Sequence, residues 1–128
     1  MSFSNYCENY LLNLLFTNKT VYVGYGSAAI EASMTELSGG GYAREAFGAW
    51  TLTDVGDADQ FVDNDNDIDF DQATGSQGTA TVFGFFDALT GGNFLGSVTL
   101  AELGFDDIVV ISGTQISILA GNCKCELD

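Results

Sequence analysis

The residues best suited to chemistry lie in one acidic stretch. Asp63-Asn64-Asp65-Asn66-Asp67 places oxygen ligands at the first, third and fifth places of a calcium loop. The rest of that pattern fails. Ile68 stands where a tight-turn glycine is needed, and Thr74 stands where a bidentate glutamate would close the loop. The stretch is therefore not an EF-hand. Two readings stay open: a looser Ca²⁺ site on Asp63, Asp65 and Asp67, since that ion accepts oxygens in flexible geometry, or a solvated acidic loop. These residues belong to the densest charge in the chain, eight acids between residues 54 and 71.

Other reactive groups offer less. The chain has no histidine, which removes the usual general base and the commonest transition-metal ligand. Cys123-Lys124-Cys125 is C-x-C, and on an extended strand both sulfurs point the same way into the core. With Cys7 they read as small buried hydrophobes rather than as bridges or zinc ligands. Three consecutive glycines, Gly39 to Gly41, lack the lysine and helix start that a phosphate loop requires. Arg44 reads as part of a structural ion pair with Glu45, or as an interface contact. No catalytic residues and no enzyme activity are expected, and no cofactor beyond the possible Ca²⁺.

Composition bounds the rest. The chain has 128 residues, 46% hydrophobic, with 18 acids against three basic side chains, a formal charge of −15. It is too apolar for disorder and is expected to form a single domain over residues 1–128. Such a surface repels phosphate backbones and anionic membranes, so neither nucleic acid nor a membrane is an expected partner. The polar start with no basic segment predicts no signal peptide, and no apolar run approaches the roughly 20 residues of a membrane span. There are 16 glycines and no proline, so glycine must serve the turns.

The elements that would position these groups are mostly strands. A helix is expected over about residues 5–17, capped by Asn5 with Glu8 completing a capping pair. Its stripe is Tyr6, Cys7, Tyr10, Leu11, Leu14 and Leu15, widened by Leu12 and Phe16; it packs across an open side of the β domain or docks on a neighbouring subunit. Strands are expected at 20–26, 42–53, 67–71, 79–86, 94–100, 108–112, 115–119 and 123–127, with 27–34 as a loop. In 42–53, Phe47, Ala49 and Thr51 would share one face, Gly48, Trp50 and Leu52 the other. Residues 79–100 form a central hairpin whose first strand is apolar on both faces, as an interior strand must be. The resulting class is mainly β: an antiparallel sandwich or barrel, jelly-roll- or immunoglobulin-like, with one N-terminal helix.

Several stretches together carry a family likeness: Glu8-Asn9-Tyr10-Leu11-Leu12 through Thr20-Val21-Tyr22-Val23-Gly24-Tyr25, Glu36-Leu37-Ser38-Gly39-Gly40-Gly41-Tyr42-Ala43-Arg44-Glu45, Phe83-Gly84-Phe85-Phe86-Asp87-Ala88-Leu89-Thr90-Gly91-Gly92-Asn93, and the C-terminal strand from Ile116. The sequence resembles short virion structural proteins of tailed bacteriophages, described as head-decoration or tail-fibre-like proteins. The resemblance implies a β-rich virion component made in the host cytoplasm. The expected role is capsid decoration, cementing the assembled head. Its partner would be the major capsid protein, and it would act as a homo-oligomer, a trimer at threefold positions. The alternative is a tail or tail-fibre module that touches the host surface, with Ca²⁺ a possible aid. Tyr10, Leu14, Tyr42, Arg44 and Trp50 are the expected contact residues.

Overall fold

The computed structural model describes residues 3–54 and 60–127, so Asp57 and Asp59 of the acidic stretch lie outside the described residues. One helix, α1 (Asn5–Asn18), precedes a series of short strands. The capping residue is Ser4 rather than Asn5: its side-chain oxygen accepts from the backbone N–H of Cys7 at 3.3 Å. The cap thus lies one residue earlier than expected, which leaves Glu8 outside the capping position; it is instead buried.

The central sheet has the order β2–β1–β8–β9, built from β1 (Tyr22–Ile30), β2 (Ser33–Glu36), β8 (Val82–Phe86) and β9 (Phe94–Thr99). β3 (Glu45–Ala46) pairs with the first residues of β1, beside the same edge that β2 occupies further along. All pairings are antiparallel. β8 lies between two strands and every one of its residues is buried, the physical reason for a strand without a polar face.

A second sheet, β12–β5–β4, joins β4 (Trp50–Thr53), β5 (Phe61–Asn64) and β12 (Lys124–Glu126). Two short ladders pair β6 (Ile68–Asp69) with β11 (Ser117–Ile118) and β7 (Gly78–Ala80) with β10 (Ile108–Val110). The sheets stay open, so the sandwich alternative holds and the barrel does not. One buried cluster fills the interior, including Leu12, Phe16, Val23, Phe47, Val62, Phe70, Phe83 and Ile118. Aromatic edges run through it: the Tyr25 ring meets Phe70 at 5.0 Å and Tyr42 at 4.9 Å between centroids, both edge-on.

Two expectations change. Residues 27–34 are not a loop; β1 runs to Ile30 and turns into β2, with its outer residues open to solvent, which is why small polar and apolar residues mix there. The expected strand 42–53 is two strands, broken where Gly48 adopts φ +77°. The break cancels the strict alternation, so Phe47 and Trp50, placed on opposite faces by the pattern, both pack on Phe16 at 5.1 and 5.7 Å. The period-two reading does hold downstream, where Ile68 and Phe70 are buried and Asp67, Asp69 and Asp71 are exposed. Cys123 is buried as expected, and Cys125 and Leu127 on the same side are half-buried.

Candidate functional site

The most connected polar group in the described structure is centred on Arg44. The segment after the Gly39–Gly41 run brings it across the central sheet to Glu36 at the end of β2. Its Nη2 donates to Glu36 Oε1 at 2.6 Å and its Nε to Oε2 at 3.0 Å, a two-pronged ion pair. Its Nη1 donates to the carbonyls of Ala88 and Gly91, both at 2.8 Å, in the turn between β8 and β9. The guanidinium carbon lies 3.5 Å from the centroid of the Phe86 ring. The Tyr42 hydroxyl donates to Glu36 and accepts from the backbone N–H of Tyr25 at 3.3 Å. The ion-pair partner is thus Glu36, not the neighbouring Glu45: adjacent residues on an extended chain point to opposite sides.

The electrostatics follow from this geometry. Burial alone would raise the Glu36 carboxyl, but hydrogen bonds from Arg44 and Tyr42 and the Arg44 charge outweigh it and hold it below the usual carboxylate range. Burial, then the hydrogen bond to Glu36, pushes the Tyr42 phenol far up, so it remains a donor. Glu45 goes the other way: burial, then the charges of Asp71 and Asp69, raise its carboxyl.

Local backbone makes this cluster possible. Gly24 of β1 sits opposite Gly84 of β8. A Cβ on Gly24 would collide with the Tyr42 hydroxyl, and one on Gly84 with the Met34 sulfur. Two bare positions side by side let these side chains settle onto the sheet. Gly40, at φ +51°, lets the chain approach the Gly75 carbonyl, and its own carbonyl accepts from Gln77 Nε2 at 2.8 Å. Gln77 in turn accepts from the Tyr25 hydroxyl at 2.7 Å.

The acidic stretch is built differently. Asp63 lies in β5 between Thr51 and Lys124. Asp65 accepts from the Thr51 hydroxyl, and Asp67 accepts from the backbone N–H of Ala120 at 2.8 Å. Among the described residues no three acidic or cysteine side chains gather into a group that could hold a metal. Of the three carboxylates in the calcium reading, Asp65 and Asp67 turn to separate partners, the Thr51 hydroxyl and the Ala120 N–H. The residue that matters locally is Asn64, 1% exposed, which donates to the carbonyls of Asn66 at 2.8 Å and Leu119 at 3.1 Å and accepts from the Cys123 N–H at 2.9 Å. Sequence reasoning passed over it, although it shares strand parity with Val62, Ile68 and Phe70.

The expected contact residues divide into two groups. Tyr42, Arg44 and Trp50 are buried or half-buried within the chain. Tyr10 and Leu14 are exposed on α1, whose buried row is Glu8, Leu12 and Phe16. The hydroxyl and carboxylate groups of the Arg44 cluster are engaged with one another and with main chain, an arrangement suited to holding loops in place.

Fold and cluster together define a mainly antiparallel β protein whose best-connected polar cluster is turned inward. The chain belongs to the family described as Podophage GP4 fiber I protein gp80, whose model matches residues 2–125. That is a family of structural proteins of short-tailed phage particles, in agreement with the resemblance of the sequence. No curated protein matches the chain significantly.

Proposed function

We infer that the protein is a structural component of the tail of a short-tailed phage, a fibre or fibre-associated module that contacts the host surface. The observation that carries this reading is the family match over residues 2–125, whose description names a fibre. Capsid decoration, the role first expected, and the major capsid protein as its partner find no corresponding support in that description. The geometry fits a structural role in the particle rather than an enzymatic one. Arg44 Nη1 and Asn64 Nδ2 both donate to carbonyls of their own chain, fixing the turn after β8 and the chain between β11 and β12.

Immunogold labelling of purified particles with antibodies against this chain tests the reading. Gold at the tail, together with loss of adsorption when the antibodies are added before the host cells, is the expected result. Gold distributed over the head shell overturns it in favour of decoration.

A further inference from the structure

The Cys-x-Cys pair near the end of the chain takes no part in the role proposed above. Cys123 and Cys125 fall on the same side of one strand, and β5 pins both: the Cys123 N–H donates to Asn64 Oδ1 at 2.9 Å, and Cys125 pairs with Val62 in the β5–β12 ladder. Their thiols are hydrogen-bonded to each other. Lys124, between them, points the other way and sets its ammonium 4.7 Å from the centroid of the Phe61 ring. Cys123 is fully buried, whereas Cys125 stands in the wall of a cavity of about 250 Å³ between α1, β9 and β12. Phe16, Phe85, Leu95 and Leu127 line its interior, and the exposed Glu102 and Lys124 also border it, so a small solute reaches the Cys125 sulfur from solvent.

Two sulfurs side by side admit three chemistries, and span, protonation and ligand count separate them. Two residues of strand advance about 6.6 Å, the long end of the Cα separation that a disulfide bridges. The hydrogen bond to Cys123, then burial, also raises the Cys125 thiol well above its ordinary value, so the thiolate that would open disulfide chemistry is scarce. Zinc takes four ligands, and among the described residues no three histidine, cysteine or acidic side chains gather, which leaves Cys7 outside any such group. A soft monovalent d¹⁰ ion needs only two sulfurs, one on each side, and displaces their protons outright. With metal–sulfur bonds of about 2.3 Å, as for zinc, its two donors stand up to about 4.6 Å apart, a span that two hydrogen-bonded thiols meet without moving the strand. The formal charge of −15 draws cations toward such an opening. We propose that Cys123 and Cys125 form a two-sulfur site for a soft monovalent cation of the Cu(I) class, entered through the cavity beside Cys125. Two thiols and one Cu⁺ give one bis-thiolate complex and release two protons, and the copper keeps its oxidation state.

Anaerobic titration of the full chain with Cu(I), in competition with the chromophoric chelator bicinchoninate, tests the site. One ion per chain is expected. Cys125→Ser and Cys123→Ala should each weaken retention at least about tenfold, and Cys7→Ser should leave it unchanged. A second measurement uses only the wild-type chain and so stands even where a variant fails to fold: brief alkylation with iodoacetamide, read by peptide mass, before and after loading. Bound Cu(I) should slow modification of Cys125 at least about tenfold and leave the rate at Cys7 as it was. A wild-type chain from which the chelator removes all the copper overturns the proposal. So does retention that survives Cys125→Ser, protection that falls on Cys7 or on neither residue, or a Cys125 that the reagent fails to reach in the metal-free chain.

Discussion

Two regions of this molecule use carboxylates in opposite ways. Between residues 63 and 71 the acids are dense, and each makes a local interaction or faces water. Around Arg44 there is one central carboxylate, Glu36, and it ties β2, the segment after the glycine run and the turn after β8 into one node. The difference teaches that density of ionisable residues in a sequence is a poor guide to where charge does structural work. What counts is whether a charge is removed from water and paired, because only then does the low local dielectric make its partners indispensable.

The largest effect is expected at the node. Arg44→Met removes four hydrogen bonds and strands the Glu36 carboxylate, for a loss of about 3 kcal/mol in urea unfolding. A loss no larger than that of an exposed lysine would break the contrast. Next comes the buried amide inside the acidic stretch: Asn64→Ala leaves two carbonyls and one N–H without their partner and should lower stability by about 2 kcal/mol.

A third expectation concerns pH. The Glu36 carboxyl is held low in the folded state, so its contribution is full above the ordinary carboxylate range and is lost as pH falls through the lowered value. The stability gap between wild type and Glu36→Gln should therefore be widest near neutral pH and close on acidification. Glu45 has the opposite sign: its raised carboxyl favours the folded state only while protonated, so Glu45→Gln should match wild type in acid and exceed it slightly at pH 7. The smallest effects belong to the exposed acids. Asp65→Asn should shift stability by less than about 0.5 kcal/mol, and millimolar Ca²⁺ should leave the melting temperature where it was.

Much of the fold could be read from local pattern. The two-sided apolar run 82–86 announces an interior strand, and the alternation at Asp67 to Asp71 announces which side faces water. The break at Gly48 escaped because residues 42–53 keep a plausible alternation on both sides of it. The cap moved by one residue because Ser4 and Asn5 are both competent caps. The Arg44 node lay deeper: Arg44 and Glu36 are eight residues apart, and the bond to Gly91 spans 47, so no local period encodes them. The glycines at 24 and 84 are informative only once the strands are aligned face to face.

The pairing of β1 with β8 also governs the order of events during synthesis. Tyr22 finds its partner in Phe86, about sixty residues later, so the helix and the β1–β2 hairpin leave the ribosome with one long edge uncovered. At about 5–20 residues per second that edge waits several seconds for β8. β8 itself closes on β9 across a short turn and is delivered as a preformed hairpin. Pairing of β1 with β8 joins the two hairpins, and the nascent chain is most exposed to mispairing with a neighbour just before residue 86 emerges.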